Sequence, residues 1–317
     1  WPEYVTKRWT DFIKRPNVIG YVARTDRYGT TKLVDSANEI LLYALKRSTE
    51  NPEILPDQIY DEYISTRYGE KALEPIKKAF EKAYDIVLSS MYILGTNAAK
   101  HSSMDYDPYS SSYDRHVSGR WLEPPVVFVE HGINKEFHYW KDIVNHIAPA
   151  RFKTKDSRLG LEARYVIDRN WVTPVELMDS LYLSYIITEK RYGVSLANEA
   201  LADIERAKEL LDPSDYKDLY RLFRRTALTA QLYEAVSTAY FGFRIYAKGE
   251  SYRYENLEEQ IRSALNRIDT VTDEMKSMEG EYPLGQWDWL KDAETALSYK
   301  KKILTGWKEY NNVKFEQ

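Results

Sequence analysis

The chain contains no cysteine, so disulfide stapling, thiolate metal ligation and cysteine nucleophiles are all excluded. It has no apolar run approaching the ~20 residues a membrane-spanning helix needs. Cations do not dominate: 45 Lys and Arg stand against 49 Asp and Glu, a formal charge of −4, and the pI is near 5.9. That balance lacks the basic face by which nucleic-acid binders are known. There is no glycine-rich phosphate loop, no Gly-x-Ser-x-Gly elbow and no Cys/His knuckle, which removes the motif signatures of nucleotide binding, serine hydrolysis and zinc fingers. No fixed period of the solenoid type recurs. The chain starts Trp1-Pro2-Glu3 with neither methionine nor a charged-then-apolar leader, the start expected of a processed or excised segment.

What is present is a large aromatic complement, 27 Tyr, 9 Phe and 8 Trp among 317 residues, with 43% apolar and 30% charged residues. Those proportions belong to a globular protein with a real core, and the length suits two domains. Tyrosine offers an apolar face and a polar tip, so this richness reads either as helix–helix seams or as a surface that contacts sugars or proteins.

The periodicity predicts a mainly α protein: helical bundle domains with a small β element near the N-terminus and another around 126–130. Residues 1–35 read as a terminal α/β element: the end of a helix at Trp9–Lys14, a buried strand over Asn17–Arg24, then the polar loop Thr25–Thr31. Residues 36–150 read as a helical region with a long aromatic and histidine-rich loop. Its helices are expected from a cap at Asp35 or Ser36 to about Ser48, from a cap at Asp57 to Tyr68 with Gly69 ending it, over Leu73–Leu94, and over Lys135–Ile147. Gly95 to Pro125 is expected to be mostly loop, long enough to suggest a functional role. After a linker at Pro149–Asp156, residues 151–317 read as an antiparallel bundle. Its helices are expected over Pro174–Tyr192 (ending at Gly193), Ser195–Leu211, Ser214–Lys248, Leu257–Met278 and Trp287–Tyr310.

Histidine is scarce and concentrated. All five lie between His101 and His146, with Trp121, Trp140 and seven Asp and Glu in the same window. Tyr113-Asp114-Arg115-His116, followed by Arg120-Trp121, is the densest polar cluster. An indole can stack on a sugar ring, and Arg with Asp can fork onto hydroxyls or a uronate; a loop tied down by salt bridges is the structural alternative. Glu130-His131-Gly132 closes the apolar run Val126–Val129, so Glu130 is a candidate general acid or base with His131 beside it, or else a loop carboxylate next to an exposed histidine. His138, Asp142 and His146 share one helical face, but span ~12 Å at 1.5 Å per residue, wider than a helical zinc pair. No metal or cofactor is expected. Arg24, Asp26 and Arg27 follow the first strand and would favour an anionic ligand if they face a site, or are surface charge if they do not. In the C-terminal half Arg221, Arg224, Arg225, Glu234, Arg244 and Asp269 read as ion-paired or solvated helical charges. Trp287-Asp288-Trp289 is a stacking platform or a helix-start staple.

The strand-loop Gly20-Tyr21-Val22-Ala23-Arg24-Thr25-Asp26-Arg27-Tyr28-Gly29 resembles the last strand of a glycoside-hydrolase barrel. The segments Glu39–Leu45 and Ile59–Gly69 resemble the helical region behind such barrels, as in the alpha-glucuronidases and related polysaccharide-degrading enzymes of bacteria. The resemblance covers about residues 15–150, carries no catalytic pair residue by residue, and implies a secreted or periplasmic setting. It also implies that the barrel holding most catalytic carboxylates lies outside this chain, its missing N-terminal portion being one partner.

Two functions follow. In the enzymatic one, the chain is the C-terminal part of a carbohydrate-active hydrolase lining the cleft for a polysaccharide, acidic ones included. Its catalytic candidates are Glu130, Asp114 and Asp26, with Glu136 also in reach, and its substrate-binding candidates are Arg24, Arg27, Arg115, His116, Trp121, His131, His138 and Trp140. In the other, a non-catalytic helical module recognises a glycan or a protein.

Overall fold

The computed structural model describes residues 1–17, 34, 36–93, 96–97, 99–100, 103–104, 180–247, 249, 251–278 and 286–315. The two expected β elements, over 17–24 and 126–130, fall almost wholly outside these residues, as do the 135–147 helix and the 149–156 linker. Among the described residues the protein is mainly α, as its periodicity predicts. The chain divides into two compact units. The first is built from the described parts of Trp1–Ile86, Ser195–Ala227 and Glu279–Gln286, the second from those of Val87–Val194, Leu228–Met278 and Trp287–Gln317.

In the first unit, α1 (Pro2–Ile13) begins on proline, whose missing N–H costs nothing in a first turn. α2 (Glu39–Glu50) starts three residues after Ser36, whose hydroxyl accepts the Asn38 N–H at 3.2 Å. α3 (Pro56–Tyr68) starts one residue before the expected cap at Asp57, because the fixed φ of Pro56 suits a first helical position and Leu55 takes the cap. The Gln58 side chain accepts the Leu55 N–H at 3.1 Å. Gly69, at φ 88°, ends the helix as predicted. The expected single helix over Leu73–Leu94 is instead α4 (Leu73–Glu81) and α5 (Ala83–Met91). The break falls at Lys82, whose ammonium donates to Lys78 O at 3.0 Å and to the buried Asp203 at 2.7 Å. The chain then forms two short antiparallel pairs: β1 (Tyr92–Ile93), where the end of the helix was expected, with β2 (Thr96–Asn97), and β3 (Ala99–Lys100) with β4 (Ser103–Met104), the last three within the expected loop.

Tyrosine fills seams in this unit. Tyr60 and Tyr63 are buried. Rings pack in sequence from Tyr43 to Tyr63 (5.5 Å), Tyr68 (6.3 Å), Phe80 (6.5 Å) and Phe223 (5.8 Å). Arg47 joins α2 to α3 by a two-pronged bond to Glu62, at 2.7 and 3.0 Å, and the Tyr43 hydroxyl donates to the same carboxylate at 3.1 Å.

α6 (Ser180–Arg206) is a single helix where two were expected, meeting at Gly193. Glycine serves contact here rather than termination: a Cβ on Gly193 would lie 3.0 Å from Ser90 Oγ and 3.1 Å from Ser89 Cβ. α7 (Pro213–Ala247) is a long helix whose stretch from Leu232 to Phe241 is almost entirely buried. α8 (Leu257–Ser277) is amphipathic, with Leu257, Ile261, Leu265, Ile268 and Met275 inward. α9 (Gln286–Phe315) runs past the expected end at Tyr310. Helices apolar on all sides belong at a core's centre. In the second unit the middle of α7 takes that place, packed among Leu183, Ile187, Ile261, Ile268, Tyr299 and Trp307.

Gly242 sets how closely α7 and α8 approach: an added Cβ would sit 2.9 Å from Ile261 Cγ1. Alanine gains about 1 kcal/mol of helix propensity over glycine, but crowding a packed core costs about 1–3 kcal/mol. Gly242→Ala is therefore expected to lower the urea midpoint, and an unchanged or higher midpoint would show that Ile261 yields. A second test follows from Glu62, whose carboxyl is held below the ordinary glutamate value of 4.5 by its bonds to Arg47. Because the folded value is depressed, the stabilisation is present above the unfolded value and is lost as pH falls through the folded one. Glu62→Gln should flatten the decline of stability from about pH 5 downward; an unaltered pH slope in urea titrations would refute the assignment.

Candidate functional site

The buried middle of α7 carries a single charged residue. In α7, Tyr233, Ala235, Val236 and Ala239 are fully buried and Glu234 among them is 4% exposed. A buried carboxylate must be met by countercharge, and two helices supply it. Arg267 on α8 donates through Nη1 to Glu234 Oε2 at 2.7 Å. Arg191 on α6 places Nε 3.6 Å from Oε1. Both arginines reach in from partly exposed positions, so their charged ends stay at the surface.

The three helices leave a polar groove of about 330 Å³ above this carboxylate. Glu234, Thr238 and Ala264 are its buried lining; Arg191, Asn256, Glu259, Gln260, Ser263 and Arg267 complete it. Asn256 caps α8 in the left-handed conformation, φ 53°, which asparagine tolerates better than most residues. One turn on, the Gln260 amide donates to Glu255 O at 3.0 Å and is held in place. Thr238 is 3% exposed and its hydroxyl has no hydrogen-bond partner. The groove therefore offers carboxylates, guanidiniums, amides and hydroxyls of both hydrogen-bonding senses, with its two arginines balanced by its two glutamates.

Other polar clusters have structural explanations. Lys190 is 1% exposed; its ammonium donates to Glu189 at 2.7 Å, Ser89 O at 2.7 Å and Ser90 O at 3.1 Å, which uses all three protons. In the first unit the buried Asp203 takes Lys82 and Arg206, and Lys77 takes Asp57 and Asp61, both at 2.6 Å. An open concavity of about 430 Å³ beside α9 is edged by Lys300, Lys301, Lys308, Leu297 and Leu304, with Asp269 bonded to Lys300. No group of His, Asp and Glu suited to a metal ion occurs among the described residues.

Glu130, Asp114 and Asp26, with Glu136, and Arg24, Arg27, Arg115, His116, Trp121, His131, His138 and Trp140 all fall outside the described residues, as do Asp142 and His146. The side chains of Trp287, Asp288, Trp289 and Arg244 fall outside them too. Glu234 and Asp269 are ion-paired, as expected of helical charges. What the sequence reading missed is that Glu234 floors a groove. The available signal was a lone acid inside the apolar run Ala227–Phe241. The chain matches no family model, no curated protein and no solved structure. No helix among the described residues is long and apolar enough to cross a membrane.

Removing the countercharge from a buried ion costs more than removing the ion itself. Arg267→Met, which takes the closest donor from Glu234, is expected to destabilise the protein by about 1.5–3 kcal/mol. Glu234→Met should cost less, because it removes the carboxylate that needs pairing. Chemical unfolding of the two variants gives the order; a costlier Glu234→Met would mean that the arginines, not the carboxylate, need the bond.

Proposed function

We propose that the chain is a helical carbohydrate-binding component, the C-terminal helical part of a polysaccharide-acting glycoside hydrolase, which holds a saccharide in the α6–α7–α8 groove and does not itself break the glycosidic bond. The observation that carries this reading is the composition of the groove. Sugar hydroxyls donate to carboxylates and accept from guanidinium and amide N–H groups, and the groove has all of these within about 330 Å³. Binding sites for small ligands run from about 300 to 1,000 Å³, so a single ring or a chain end fits this volume.

Hydrolysis needs two carboxyl groups that face each other across the scissile bond, about 5–5.5 Å or 6.5–9.5 Å apart, one of which can give up a proton. Glu234 faces a guanidinium on each oxygen, so its role is to accept hydrogen bonds and hold position. A polar floor also suits a hydroxyl-rich ligand better than the apolar face of a partner helix. The resemblance of the Gly20–Gly29 strand-loop to a glycoside-hydrolase barrel points to the same substrate class, with a secreted or periplasmic setting.

The full chain titrated with neutral and acidic oligosaccharides, followed by heat and by tryptophan fluorescence, should bind at least one class saturably. Incubation with the same sugars should generate no new reducing ends. A flat response to every sugar rules out carbohydrate binding, and released reducing ends would restore the catalytic reading.

A further inference from the structure

We infer that Thr238 is the specificity residue of the groove, and that it selects a neutral, hydroxyl-bearing ring edge over a charged sugar; this rests on the carbohydrate reading above. A threonine inside a helix ordinarily returns its hydroxyl to the carbonyl four residues back. Thr226, on the same helix, does so, to Leu222 O at 2.9 Å, and Thr270 on α8 does so to Asn266 O at 3.3 Å. Thr238 does not: its oxygen is buried and has no partner, and its side chain lines the groove. Buried polar atoms are paired in nearly all cases, and an exception calls for an explanation. A turn of the Thr238 side chain, which lines the groove, presents the hydroxyl to a ligand group there and supplies one.

The surroundings define that group. Thr238 stands one helical turn after Glu234, on the same face of α7. Arg267 commits Nη1 to Glu234, leaving further guanidinium N–H groups at the groove. A hydroxyl bound there accepts from the guanidinium and donates to the carboxylate, and its neighbour on the ring meets the Thr238 hydroxyl, which can donate or accept. An anionic sugar would bring its charge toward Glu234 and Glu259; an amine would bring its charge toward Arg191 and Arg267. Among the described residues no aromatic lines the groove, so the ring enters by its polar edge and is not stacked.

The test uses the full chain and calorimetric titration with cellotriose, xylotriose, maltotriose and the trimer of galacturonic acid. Thr238→Val keeps the shape and removes the hydroxyl. It should weaken binding of the neutral trimer that binds best on the order of tenfold, with a thermal midpoint at or above that of the parent protein. Ser263→Leu adds bulk at an exposed position of the groove and should abolish binding without lowering the midpoint. The acidic trimer should bind more weakly than the neutral ones. Parent-like affinity in Thr238→Val, a lowered midpoint in that variant, or a preference for the acidic trimer would each overturn the inference. Parent-like affinity in Ser263→Leu would overturn it too, by placing the sugar elsewhere while carbohydrate binding stands. Failure of the unsubstituted protein to bind any trimer would instead remove carbohydrate binding itself.

Discussion

A carboxylate taken out of water costs several kcal/mol unless countercharge and hydrogen bonds meet it, and Glu234 is 4% exposed in the middle of α7. Tyr233, Ala235, Val236 and Ala239 around it are fully buried, so the helix cannot turn to release it without exposing the core. The demand must be met by other helices. Arg267 from α8 and Arg191 from α6 reach it because both are long, keep their stems on the protein and keep their charged ends partly wet. The second unit's polar groove is the result. It lies where three helices must leave room for two guanidiniums, and its floor is the one acid that the apolar run contains.

Close helix packing supports that arrangement. α6 continues through Gly193 because a side chain there would strike Ser89 and Ser90, and α7 nears α8 at Gly242 because a Cβ would strike Ile261. Glycine is a poor helix former, yet each of these sites is helical. Contact energy gained over a whole interface outweighs about 1 kcal/mol of local propensity. At Gly69 the same residue type does the opposite work: φ is 88°, and the helix ends. A glycine in a sequence thus has two meanings that only tertiary surroundings separate.

That ambiguity explains much of what the amino-acid pattern did and did not disclose. Helix ends marked by local chemistry were legible: Gly69 after α3, and the start of α8 at Leu257. The tyrosine-rich seams were legible as one of two readings, and Tyr60, Tyr63, Tyr233 and Tyr299 lie buried in them. Gly193 was misread as a stop because nothing within a few residues reveals Ser89 and Ser90 beneath it. Lys82 was read as one more helical residue because its partner, Asp203, lies 121 positions away. The groove was opaque for the same reason. Arg191, Glu234 and Arg267 each look like ordinary helical charges, and Glu234 was expected to be either paired or solvated, but three charges distant in sequence do not announce a shared cavity. The histidine-rich window, by contrast, drew attention through local density alone, and its residues lie outside those described.

The balance of charge in the groove also bears on what the groove could hold. A carboxyl that donates a proton near neutral pH needs a raised pKa, and an adjacent cation works against that. Here each oxygen of Glu234 faces a guanidinium, at 2.7 Å and 3.6 Å, an arrangement that fixes geometry. Fixed geometry is what recognition of a hydroxyl-rich ligand needs, since each misplaced donor forfeits a hydrogen bond that water would otherwise supply. The hydroxyl of Thr238 then stands out as the one buried polar atom in the groove that the protein itself does not satisfy, in a fold that meets Lys190, at a similar depth, with Glu189, Ser89 O and Ser90 O.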